Sequence, residues 1–178
     1  MVGTGLGARR GILIKNGESL ERSNKINTVI FDKTGTLTEG KPDVTNIVPY
    51  NSAKAEEVLT IAASLENLSE HPLAQAIVRA AKNKKLRLKK ATNFENLAGQ
   101  GIKGNIGLHK ILIGSPRLME KFKVSIESCK AELKTLEEEA KTVIALAKNN
   151  KLIGLIAIAD TLKEDAKEAV EKLTKLNI

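Results

Sequence analysis

The chain has 178 residues, 29 of them basic and 21 acidic, for a net charge of +8; 42% are apolar but only 2% are aromatic. That suffices for one large domain or two small ones with a core of Ile, Leu, Val and Ala. The single Cys, Cys129, excludes an internal disulfide framework and fits a reducing compartment, no Cys/His cluster points to zinc, and no run approaches the ~20 apolar residues of a membrane span.

The N-terminal stretch "MVGTGLGARRGILIKNG" lacks signal-peptide order, since Arg9 and Arg10 follow its apolar part. "SLERSNKIN" predicts a short helix leading into a strand at Thr28–Phe31, where β-branched residues suit a buried position. Lys41-Pro42 is expected to end the loop that follows. "SAKAEEVLTIAASLEN" has apolar residues at helical spacing with Ser52 as a candidate N-cap. "SEHPLAQAIVRAAKN" predicts a second helix with Pro72 in its first turn. The densest basic run, "KNKKLRLKK" at Lys82–Lys90, reads as a solvated helix end and loop. No rings interleave with its lysines to stack bases, so no nucleic-acid partner is expected.

"TNFENL", "GIKGNI" and "KILIG" then read as strands, and "PRLMEKF" and "SIESCKAELKTLEEEA" as helices. "KTVIALAKNNKLIGLIAIAD" predicts a hairpin turning at Asn149-Asn150. "LKEDAKEAVEKLTKLNI" predicts an amphipathic helix with Ala166, Val170 and Leu173 on one face. The order implies an α/β core interrupted by an α+β insert.

Chemistry concentrates in "IFDKTGTLT". A carboxylate placed after a strand can serve as a nucleophile and form an aspartyl phosphate. Attack on an anionic phosphoryl group calls for a cation, normally Mg²⁺, held by carboxylate and carbonyl oxygens. Asp32 is the candidate nucleophile and Mg²⁺ ligand; Lys33 adds positive charge, the Thr34 carbonyl can reach the metal, and Thr36 can hydrogen-bond phosphate oxygens. Downstream, "ENLSEHPLAQAIV" places His71 before Pro72, and "GQGIKG" supplies Gly99 and Gly101, which admit close backbone approach to a ligand.

"DKTGTLT" resembles the phosphorylation signature of P-type ATPases, whose catalytic core resembles the haloacid dehalogenase superfamily. The Ser-Glu-His-Pro and glycine strings resemble those of the heavy-metal-transporting (type IB) members, and the likeness covers essentially the whole chain. It implies an incomplete haloacid dehalogenase-like phosphorylation domain, with an inserted α+β nucleotide-binding domain built on an antiparallel sheet flanked by helices. The implied boundaries are a juxtamembrane segment 1–23, phosphorylation-domain parts 24–43 and 159–178, and a nucleotide-binding domain 44–158. By resemblance, Glu66, His71, Gly99 and Gly101 line the adenine site, with Ser115 standing where the family commonly has Asn.

The resemblance also implies ATP and Mg²⁺ as cofactors, and the remainder of a membrane pump as partner. This portion would be soluble and cytoplasmic, and the pump would move a heavy metal, Cu⁺ before Zn²⁺ or Cd²⁺. Asp160 and Lys163 match the family's Asp-x-x-Lys/Arg segment. The family's Thr-Gly-Asp and Gly-Asp-Gly-x-Asn-Asp strings are absent from the 178 residues, so the chain reads as a fragment that binds nucleotide without turning it over. The runner-up is a free-standing phosphatase of the dehalogenase superfamily. Such enzymes generally have a second Asp two positions after the nucleophile, where this chain has Thr34.

Overall fold

A computed structural model describes residues 2–178, and these fall into two compact units. One joins the residues up to Thr38 with Leu162–Ile178; the other is Glu39–Thr161.

The larger unit is built on a six-stranded sheet. Its strands are β1 (Thr38–Pro49), β2 (Ala91–Leu97), β3 (Gly101–Ile106), β4 (His109–Gly114), β5 (Thr142–Lys148) and β6 (Lys151–Leu162), in the spatial order β1-β6-β5-β4-β3-β2. The pairs from β2 to β6 along this order are antiparallel. The β5–β6 hairpin turns where expected, with Asn149 and Asn150 at φ 50° and 63°, the positive values that a two-residue turn requires.

Helices cover both faces. Val58, Leu59 and Ile61 of α3 (Ala55–Glu66) and Ile77 of α4 (Pro72–Asn83) pack with Ile111, Ile113, Leu146 and Ile156. Leu118 and Met119 of α5 (Pro116–Lys121) and Leu136 of α6 (Lys130–Glu138) pack with Leu112, Val143, Ala145 and Leu155. Alternate residues of β4, β5 and β6 therefore enter opposite cores. Central strands clothed on both sides need apolar residues at every position, hence "LIGLIAIA". A register shift between Leu146 and Ala147 leaves Ile153 without an opposite number, and so Leu152 and Leu155 reach the same core.

Three sequence expectations fail here. Lys41-Pro42 does not end the loop but lies inside β1. That strand is at the sheet's edge, the position where a proline without an N–H is tolerated. Arg79 of α4 holds the segment, donating to Asp43 Oδ1 at 2.6 Å. Ser52 does not cap α3: it has φ 63°, and Lys54 stands at the cap position without a side-chain hydrogen bond.

The third failure belongs to the smaller unit, which contains α1 (Val2–Arg9), α2 (Gly17–Ser23) and α7 (Ala166–Lys175). Residues Thr28–Phe31 form no strand, and Ile30 is 93% exposed. A strand needs neighbours to pair with and an apolar face to bury, and no strand of the described residues pairs with this one. On α7, Ala166 is buried, Leu173 half-buried and Val170 exposed. Among the described residues, no helix is long and apolar enough to cross a membrane.

Candidate functional site

The larger unit contains a cavity of about 330 Å³ where four segments meet, a size suited to a small ligand. The end of α3 supplies Glu66. The start of α4 supplies His71, the β2–β3 turn supplies Gly99 and Gly101, and the β4–α5 junction supplies Gly114 and Ser115. The structure thus brings together all five residues read as nucleotide-binding. Leu73, Ala74, Ile102, Ile113, Val143 and Ile144 complete an apolar lining.

Each polar group is set by local structure. Glu66 is only 7% exposed, and burial pushes its carboxyl up from 4.5 to about 7. The charged form has lost its water there, so near neutrality the group can either accept or donate a hydrogen bond.

His71 is the N-cap of α4: its Nδ1 accepts the Leu73 N–H at 3.2 Å, with Pro72 at the first helical position. That bond assigns Nδ1 as the acceptor and leaves Nε2 to carry the ring N–H. The cap bond is a second role that the sequence did not reveal, because His is not a usual capping residue. Ser115 caps α5 in the same way. Its hydroxyl accepts the Leu118 N–H at 3.3 Å, and its own N–H donates to the Gln100 carbonyl at 3.0 Å.

The glycines divide the work. Gly99 has φ 69° with open space around it, so it serves the turn itself. Gly101 faces Gly114 across the β3–β4 pair. A Cβ on Gly101 would overlap the Ile113 carbonyl oxygen and lie 2.6 Å from Gly114 Cα. These two therefore let the backbones close together at the cavity's edge.

Four polar lining residues escaped the sequence reading: Ser69, Asn96, Gln100 and Thr142. Gln100 lies inside the glycine string and Asn96 three residues before it, both within reach of inspection. Thr142 comes from β5, and only strand pairing brings it in.

Asp32, Lys33, Thr34 and Thr36 lie in the smaller unit and are exposed on one loop. The buried Thr38 hydroxyl donates to the Lys33 carbonyl at 3.0 Å and accepts the Gly35 N–H at 3.2 Å. Lys163 reaches the same loop, its ammonium donating to the Gly35 carbonyl at 2.8 Å and its N–H to the Leu37 carbonyl at 2.9 Å. Its sequence partner Asp160 accepts the Lys41 N–H at 3.0 Å in the larger unit. Within the smaller unit, then, the loop's shape is fixed by Thr38 and Lys163. The donors it offers a metal, the Asp32 carboxylate and backbone carbonyls, are all oxygen and fit a hard cation such as Mg²⁺.

Comparison with known proteins places this geometry. The pattern of the haloacid dehalogenase-like hydrolases matches residues 26–178. The chain belongs to that family.

Within it, the chain is 47% identical over 178 residues to a copper-exporting P-type ATPase of Staphylococcus haemolyticus, covering 100% of this chain and 22% of that protein. It is also 47% identical to a probable copper-exporting P-type ATPase of Archaeoglobus fulgidus, covering 99% of this chain and 22% of that one. The crystal structure of a zinc-transporting PIB-type ATPase in its E2.Pi state superposes with a TM-score of 0.85 at 39% identity, covering 98% of this chain and 28% of that one. The N-domain of HMA8, a copper-transporting P-type ATPase, matches 66% of this chain with 99% of its own length, at a TM-score of 0.59 and 27% identity. The resemblance read from "DKTGTLT" and "SEHPLAQAIV" is borne out. The chain spans about a fifth of the length of the curated relatives it matches, 22% in each case.

Proposed function

We propose that this chain is the ATP-binding and phosphate-accepting cytoplasmic portion of a heavy-metal-exporting P-type ATPase, with Cu⁺ as cargo. The observation that carries the reading is the convergence of Glu66, His71, Gly99, Gly101 and Ser115 on one cavity. The adenine lies on the Ile and Val lining. Glu66 accepts from its exocyclic amino group or, when protonated, donates to a ring nitrogen, while the His71 Nε2–H faces the ligand. No Lys or Arg lines the cavity, so it holds base and ribose while the phosphates extend outward.

In the complete pump, the Asp32 carboxylate of the other unit attacks the γ-phosphorus, forming an acyl phosphate on Asp32 as the bond to the ADP oxygen breaks. Lys33 and the Thr36 hydroxyl hold the phosphoryl oxygens. Asp32 and the Thr34 carbonyl would hold Mg²⁺, which when bound neutralises phosphoryl charge. Thr34 places no carboxyl beside the acyl phosphate to activate water. The intermediate therefore persists, as a pump that changes shape between phosphorylation and hydrolysis requires. The remainder of the pump, including its metal path, is the partner.

The assignment of Cu⁺ rests on the two relatives at 47% identity, against 39% for the zinc transporter. An amide-shift titration of the chain with ATP and with ADP tests the site. Shifts at Glu66, His71, Gly99 and Gly101, with or without Mg²⁺, are expected; silence at these positions removes the assignment. ATPase activity of the membrane-embedded protein should respond to Cu⁺, and a response to Zn²⁺ alone would reassign the cargo.

A further inference from the structure

The basic run Lys82–Lys90 plays no part in the site described above, yet the structure gives it a definite shape. Leu86 and Leu88 turn inward onto the core, leaving Arg87, Lys89 and Lys90 exposed. The Lys89 N–H donates to the Ser64 hydroxyl of α3 at 2.9 Å and pins the segment to that helix. A cavity of about 460 Å³ opens beside it. Its floor is apolar, made by Ile61, Ile106 and Ile111, and its rim carries Lys89, Lys90, Lys148 and His109. Leu108, at the tip of the β3–β4 turn, stands on the lip and is 99% exposed.

The walls are built rather than loose. Asn149 accepts the Lys110 N–H at 2.9 Å and returns its own N–H to the Lys110 carbonyl at 2.8 Å, while its amide nitrogen lies 2.9 Å from His109 Nδ1. Lys148 is already paired with Glu57 at 2.9 Å. Lys89 and Lys90 enter no ion pair among the described residues, so the rim carries uncompensated positive charge. The feature is separate from the first cavity, which takes Gly101 and Ile102 from one end of β3 while this one takes Ile106 from the other. At about 3.3 Å per residue, the two ends are ~16 Å apart.

We propose that this cavity docks an acidic peptide segment carrying an apolar side chain. The apolar side chain enters over the three isoleucines and against Leu108, and its flanking carboxylates meet Lys89 and Lys90. Charge complementarity selects the occupant: a net charge of +8 draws anionic partners, and a concave apolar floor takes one inserted side chain. A membrane surface would instead need a broad apolar face with a basic border. Single-stranded nucleic acid would favour an aromatic stacking platform, and no Phe, Tyr or Trp lines the cavity.

The test uses the whole chain and a fluorescently labelled peptide of sequence DEDLED, with DEDSED as its control. Saturable binding of the leucine peptide is expected to weaken with added salt. It should fall at least about tenfold for the serine peptide, and as much for the Lys89→Glu/Lys90→Glu variant. Amide shifts should concentrate at Ile61, Lys89, Lys90 and Ile106–Ile111, while ATP titrates the variant as it does the wild type. Both lysines are exposed, and the wild-type shift map decides the matter even if the variant folds poorly. Equal binding of the two peptides, shifts spread over all lysines, or no saturation would overturn the proposal. So would capture by phosphatidylglycerol vesicles with no response to the peptide, which would make the face a membrane contact.

Discussion

Replacing Glu66 with Gln should remove one pH-dependent contribution to stability. Burial raises the Glu66 carboxyl from 4.5 to about 7, so the folded chain keeps a proton that the unfolded chain releases between those values. For an acid whose folded pKa is raised, the contribution to stability is fully present below the unfolded value and is lost as pH rises through the folded one. The window is therefore pH 4.5 to about 7. At about 1.4 kcal/mol per pH unit, the swing across it is ~3 kcal/mol. A neutral Gln has no such dependence, so the variant should gain on the wild type by that amount as the pH is raised across the window.

Urea unfolding followed by far-ultraviolet circular dichroism reads this directly, and the absence of Trp leaves few other optical probes. With slopes of about 1–3 kcal/mol per molar urea, the gap between the two midpoints should change by roughly 1–3 M across the window. Other titrating groups are common to both proteins and cancel in the difference. If the two curves run parallel at every pH, Glu66 ionises as an ordinary surface carboxylate. The account of a carboxyl switching between donor and acceptor in the cavity then fails.

His71→Ala should weaken ATP binding by ~1–2 kcal/mol and also cost ~1 kcal/mol of stability through the lost cap on α4, measured by calorimetric titration and urea unfolding. His71→Asn keeps the cap acceptor but removes the ring, so stability should return while binding does not; recovery of both would reduce His71 to a capping residue. Gly101→Ala must push its new methyl against the Ile113 carbonyl and Gly114, and should destabilise the unit by ~2–3 kcal/mol; near-neutral stability would show that the strands can separate at no cost. Incubated with γ-labelled ATP and Mg²⁺ and quenched in acid, the 178-residue chain should retain no label, since it holds neither a Thr-Gly-Asp nor a Gly-Asp-Gly string to complete the charge stabilisation. Label present in the wild type and absent from Asp32→Asn would show that the visible residues suffice.

What the sequence disclosed follows how local each signal is. The His-Pro helix start and the Asn149-Asn150 turn depend on a few consecutive residues, and both stand as read. The contribution of Thr142 depends on where β5 falls in the strand order, which no short window contains. β1 was hidden by Gly40 and Pro42, ordinary punctuation that an edge strand happens to tolerate. The reading of Thr28–Phe31 as a strand rested on β-branched composition, and β propensity reports fit to a half-buried pleated surface. Without that surface, Ile30 remains in solvent.

The basic run stands as read, a helix end and loop whose cations face solvent, yet it has a shape that composition does not show. Charge density points to a solvated helix end and loop and says nothing of the two leucines. The alternation Leu86, Arg87, Leu88, Lys89 is what shapes the segment, two leucines entering the core and the cations facing out.

The loop around Asp32 brings these arguments together. Its form does not depend on the residues before it acting as a strand, because Thr38 and Lys163 bind its carbonyls and amide from the far side. Lys163 stands 128 positions from Gly35, so the contact closes the smaller unit across the whole of the larger one in sequence. A cation donating to the Gly35 carbonyl and a hydroxyl bound to both Lys33 and Gly35 fix the backbone whose oxygens would hold a metal in the proposed function. Such preorganisation is what phosphoryl transfer draws on most. In the proposed function the "DKTGT" string would supply the reacting groups, while residues outside it decide how they are held.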